Sequence, residues 1–162
     1  MGSRKGLCIA GGVVTLVSTF VFSWRFGIET LSGWSILNIA NLFSPVSVYN
    51  IIALILFICV LVSGALIIVG IKSGAGGLAI AFGIIDVVFA SLIIVLWIIP
   101  ISIPVLDDIM MDSLYYMISH SYSIFGILPL NYDIFLTGVG IGTYLLLIGG
   151  ILGIVGGASS EV

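Results

Sequence analysis

Apolar residues fill four long stretches of the chain, over residues 7–23, 51–71, 78–99 and 138–157. Between them lie segments where Gly, Ser, Asn and Asp collect. A bilayer core about 30 Å thick takes roughly 20 apolar residues of helix, so the pattern predicts four transmembrane spans. Asp86 is the one charged residue inside them. An even number of spans returns the chain to its starting side. The expected fold is therefore an all-α integral membrane protein: a single domain, residues 1–162, built as an antiparallel four-helix transmembrane bundle.

The connections differ in length. Residues 72–77, Lys-Ser-Gly-Ala-Gly-Gly, read as a tight turn, because glycine supplies turn geometry without steric cost. The other two, 24–50 and 104–137, are long and only partly polar, and each predicts a short amphipathic helix on the outer face. In the first, Leu31, Trp34, Leu37 and Ala40 recur every three residues, ahead of Pro45. In the second, Asp107 caps a helix N-terminus, and Met110, Leu114, Ile118, Tyr122 and Phe125 form one apolar row that stops at Gly126.

Composition supports this reading. Hydrophobic residues make up 61% of the chain and charged residues 7%, with a formal charge of -3 and a mean hydropathy of +1.42. A soluble domain carries about 25% charged residues; this chain has too few to cover a wet surface. Four basic residues are also too few for the cationic patch that nucleic acid requires. Their placement sets the orientation. Arg4, Lys5 and Lys72 fall on one side of a four-span layout and Arg25 on the other, which puts both termini in the cytoplasm of a cell-membrane protein. Trp24, Phe26 and Tyr49 fall at the outer ends of the first two spans, where interfacial aromatics belong. No small-x-small cleavage site follows the first span, so it reads as a retained anchor.

Chemical motifs are sparse. Cys8 and Cys59 lie in different spans at different depths and form neither a disulfide nor a metal cluster. His120 has no companion ligand. Asp107, Asp108 and Asp112 lack the turn glycine of a calcium loop and suit a helix N-terminus instead. The sequence implies no metal and no cofactor, and no nucleophile stands beside a base, so catalysis is not expected.

Two features remain. The fourth span is rich in glycine: Gly138 and Gly142 form one small-xxx-small pair, and Gly149, Gly153 and Gly157 form a row of fours. Small residues mark helix contacts in lipid, so this span is expected to be a central packing helix or an oligomer seam, with Gly6 and Ala10 as the matching pair on the first span. The second feature is Asp86, eight residues into its span. Counting the same depth from the cytoplasmic end of the other spans reaches Thr15, Ser63 and Gly149. Such an acid must face protein or water. It either fixes helix register through Thr15 or Ser63, or holds a proton or cation. The leading expectation is a non-enzymatic structural or accessory subunit, in contact with membrane lipids and assembled as a homo-oligomer or with other membrane subunits. The alternative is a small channel or transporter that uses Asp86, with Thr15, Ser18, Thr19 and Ser23 as a polar stripe along its route.

Overall fold

The computed structural model describes residues 2–25, 31–37, 48–98, 128–133 and 138–159. Among these residues the regular structure is helical: α1 (Gly2–Phe20), α2 (Val48–Lys72), α3 (Gly76–Ile98) and α4 (Ile141–Ala158). Proline is absent from all four. Helices α2, α3 and α4 are long and apolar enough to cross a membrane, whereas the apolar part of α1, Lys5–Phe20, is shorter. Helix α4 contains six glycines, each worth about 1 kcal/mol against a helix in water relative to alanine. Its packing, described below, is what uses them.

The helices form a bundle in which neighbours in sequence are neighbours in space. Helix α1 packs on α2 and α4, and α3 packs on α2 and α4, while α2 touches α4 only sparsely across the diagonal. Gly74, at φ +75°, makes the turn that joins α2 to α3. The α1–α4 contacts run in opposite numerical order: Cys8 lies on Gly156, Gly11 on Gly153 and Gly149, and Ser18 bonds to Gly142.

Two helix ends differ from the apolar stretches. The first stretch continues to Ser23, yet α1 stops at Phe20. The backbone beyond it extends and pairs with described residues of both long connections. Ser23 N–H donates to the Leu130 carbonyl at 3.0 Å, Leu130 N–H to Val21 at 2.7 Å, and Trp24 N–H to Leu31 at 2.7 Å. Gly140 N–H donates to the Trp24 carbonyl at 2.9 Å. These bonds replace helical ones, so apolar character alone did not mark the end. The fourth stretch begins at residue 138, but α4 begins at Ile141. Gly138 sits in a turn at φ +79°, its N–H held by the Asp133 carboxylate at 2.6 Å. Gly138 is therefore a turn glycine and not half of a packing pair on the helix.

Of the first outer-face helix, residues 33–37 form a short 3₁₀ turn, and its continuation toward Pro45 lies outside the described residues. Trp34 ties this turn to α1: its indole N–H donates to the Phe20 carbonyl at 2.7 Å, and the two rings meet edge to face at 5.4 Å. One of the carbonyls orphaned at a helix C-terminus is satisfied in this way. The helix expected after Asp107, along with Asp108, Asp112 and His120, lies outside the described residues, as does Phe26.

Trp24 is the clearest departure from expectation. It does not lie at the bundle surface as an interfacial aromatic. It is fully buried, edge to face with Phe57 at 5.9 Å and Phe89 at 5.3 Å. Its indole N–H donates to Ser18 Oγ at 3.2 Å. The extended backbone after Phe20 turns this side chain inward, and the Ser18 hydroxyl removes the penalty of burying its polar edge.

Candidate functional site

The interior is divided into two apolar cores. One contains Trp24, Phe57, Phe89, Ile93 and Leu146. The other contains Cys8, Ile67, Ile71 and Ala79, with Phe82 against it. Along α1, α2 and α3 a polar residue falls in sequence between members of the two cores. Thr15 lies between Cys8 and Trp24, Ser63 between Val60 and Ile67, and Asp86 between Phe82 and Phe89. Gly149 and Gly150 lie just past Leu146 on α4.

Asp86, Thr15 and Ser63 are all fully buried in this layer. Asp86 reaches across the bundle from α3 to α1, where Thr15 Oγ1 donates to its Oδ2 at 3.2 Å. Ser63 faces the same carboxyl from α2. Ser63 Oγ also lies 2.8 Å from the Val60 carbonyl, so its hydroxyl is shared between that carbonyl and the Asp86 carboxyl. Asp86 Oδ1 has no hydrogen-bond partner among the described residues.

Glycine makes the room. A Cβ on Gly150 would stand 3.0 Å from the Asp86 Cβ and 2.7 Å from the Gly83 carbonyl. A Cβ on Gly149 would meet the Thr15 hydroxyl. Helix α4 thus supplies the space that the polar side chains of α1 and α3 occupy. Gly153 lies under Ile67 of α2, and Gly157 on Gly76 and Ile80 of α3. Gly142 lies on Ser23 and Trp24. All five of these glycines make their contacts within the chain.

Several contributing glycines stand outside the rows that the sequence pattern singles out. Gly11 lies 2.8 Å, measured from an added Cβ, from the Gly149 carbonyl, and Gly12 lies 2.5 Å from the Gly64 carbonyl. Gly83 meets Gly150 in the same manner. Gly6 has nothing within 4 Å and Ala10 is exposed, so the pair expected to pack on the first span faces outward. A usable signal was present. Cys8, Gly11, Gly12, Thr15, Ser18 and Thr19 recur every three or four residues, and all six are buried. Small and hydroxyl residues on one helical face mark a helix–helix contact, and Gly11 and Gly12 share that face.

The polar stripe on α1 is engaged in hydrogen bonds. Ser18 Oγ donates to the Gly142 carbonyl at 2.7 Å, and Thr19 Oγ1 donates to the Thr15 carbonyl at 2.8 Å. Ser23 Oγ donates to Asn131 Oδ1 at 2.6 Å. From α4, Thr143 Oγ1 donates to the Trp24 carbonyl at 2.6 Å. Cys8 and Cys59 are both free thiols, and no group of three or more His, Cys, Asp and Glu gathers among the described residues. Compared with known proteins, the chain matches no family model, no curated protein and no solved structure.

Proposed function

We propose that this chain is a non-enzymatic multi-pass protein of the cell membrane, a structural or accessory subunit of a larger or homo-oligomeric assembly. In this reading the four helices form an antiparallel transmembrane bundle with both termini cytoplasmic.

The observation that carries the membrane part is an inverted distribution of side chains. Thr15, Ser18, Thr19, Ser63, Asp86 and Thr143 are buried, while Ile9, Val13, Ile55, Val62, Ile84, Val88, Ile151 and Val155 are exposed on the same helices. A helix packed in water does the reverse. Helices in lipid gain little from burying aliphatic groups against each other and associate through small residues and hydrogen bonds instead. The non-helical backbone after Phe20 fits as well, since its N–H and C=O groups are bonded inside the protein rather than open to hydrocarbon. The apolar part of α1 falls short of a full crossing, and the extended residues after Phe20 complete it.

The subunit part is supported by how the interior is used. Glycines join the helices backbone to backbone, and the buried hydroxyls bond across the helix seams. The outward face is left apolar, suited to lipids and to neighbouring membrane subunits. Arg4, Lys5 and Lys72 against Arg25 support the cytoplasmic termini.

Extraction in several mild detergents, followed by native mass measurement, tests the assignment. The expected result is a discrete species heavier than the 17.1 kDa protomer. Recovery solely as a monomer overturns the subunit reading. A folded particle in water without detergent overturns the membrane reading, and labelling of residues 72–77 from outside intact cells overturns the orientation.

A further inference from the structure

We infer that Asp86, Thr15 and Ser63 form an occluded binding site for a single monovalent cation, either a proton or an alkali ion. The site stands beside the subunit reading and does not depend on it.

Charge and hydrogen bonding both point to it. Asp86 is fully buried, and one of its two oxygens has no partner among the described residues. An unpaired ion in an apolar interior costs several kcal/mol, and an intramembrane acid calls for a partner. The described residues that surround it supply no charge: Thr15 from α1, Ser63 from α2, Gly149 and Gly150 from α4, and Gly83 on its own helix. None of these titrates. Lys5 and Lys72 each stand more than two helical turns along their own helices from Thr15 and Ser63. The missing partner must therefore bring positive charge and accept electron pairs.

The donor set defines the ligand further. Asp86 Oδ1 and the lone pairs of Ser63 Oγ and Thr15 Oγ1 are all oxygen, the preference of a hard cation. A single carboxylate balances a single positive charge, which disfavours a divalent ion. The two apolar cores close the site in both directions along the bundle, with Trp24, Phe57 and Phe89 on one side and Cys8, Ile67 and Phe82 on the other. A bound cation is thus held out of contact with water, and its exchange requires the cores to part.

Infrared difference spectroscopy of the full chain in liposomes tests this inference, with Asp86→Asn identifying the carboxyl band. One supporting result is a neutral-acid band from Asp86 that disappears in alkaline buffer and ignores sodium and potassium, which assigns a proton. The other is an Asp86 carboxylate band that shifts on adding sodium or potassium at fixed pH but not on adding choline, which assigns an alkali ion. Thr15→Val then separates the two again. It removes a donor to the anion, so proton binding tightens by up to about tenfold; it also removes a ligand, so alkali-ion binding weakens. Ser63→Ala keeps the test readable if Asp86→Asn does not fold, since it moves either midpoint without touching the acid. An Asp86 band that responds to neither pH nor alkali ions, in the native chain and equally in Thr15→Val and Ser63→Ala, overturns the inference and leaves Asp86 a fixed structural hydrogen-bonding group.

Discussion

The two halves of the bundle, divided at the Asp86 layer, are held together by different means. On the Trp24 side large side chains fill the space between helices: Trp24, Phe57, Phe89, Ile93 and Leu146. On the Cys8 side the helices approach until backbone meets backbone, Gly11 on Gly149, Gly12 on Gly64, and Gly157 on Gly76. The glycine half needs nothing beyond the helices themselves. The aromatic half needs a wedge, and the chain supplies one from outside its regular helices, by ending α1 early and folding Trp24 back in. The described residues Leu31, Leu130 and Gly140 hold the backbone that carries the wedge.

Removing the wedge should have the largest effect. Trp24→Ala deletes a fully buried ring and the partner of Ser18, and truncations of this kind cost about 3–5 kcal/mol. Equilibrium unfolding in mixed micelles should show a loss of that size, with Trp24→Phe restoring much of it. If Trp24→Ala unfolds at the native midpoint, the aromatic half is not held by its wedge and the contrast between the halves fails.

In the glycine half the corresponding change is to add atoms. Gly150→Val places side-chain carbons against the Gly83 carbonyl and the Asp86 Cβ, at 2.7 and 3.0 Å for the first carbon alone. Overpacking costs about 1–3 kcal/mol. The same unfolding measurement should report it, and a tolerated valine would mean that α3 and α4 do not touch through their backbones. Such a result would also remove the geometry on which the Asp86 site stands.

These contacts were unequally legible in the sequence. Three of the helices announce themselves by length and hydropathy. Asp86, Thr15, Ser63 and Gly149 could be placed at one level by counting residues from the helix ends that share one side of the expected bundle, because helical rise is constant. The inward turn of Trp24 could not be read in this way. It depends on β-type bonds to Leu31, a little further along the chain, and to Leu130, far beyond the third helix, and no periodicity links such partners. Gly138 looked like a helix residue since its spacing to Gly142 is right, and only its positive φ reveals the turn. Gly6 and Gly11 are indistinguishable as glycines; the choice between them lies in the hydroxyls that share a face with Gly11.

A smaller effect tests the junction of the wedge with α4. Thr143→Val keeps the shape of the side chain and removes its hydrogen bond to the Trp24 carbonyl. That carbonyl also accepts from Gly140 N–H, so it is not stranded, and the loss should be about 1 kcal/mol. A loss as large as that of Trp24→Ala would show that the threonine, rather than ring packing, holds the wedge.

Gly6→Ala should have the smallest effect, and it tests the assignment of faces on α1. Gly6 lies on the exposed side with Leu7, Ile9 and Val13, and an added Cβ there meets nothing within 4 Å. With no neighbour to displace, and alanine the better helix former, stability should not fall and should rise by no more than about 1 kcal/mol. Gly11→Ala, on the same helix, should be measurably destabilising, because its Cβ meets backbone atoms of Gly149 and Gly153 at 2.8 Å. The pair has the same chemistry and the same helix propensity, so the difference between them isolates packing. If the order reverses, α1 presents the other face to the bundle, and the contact of Thr15 with Asp86 goes with it.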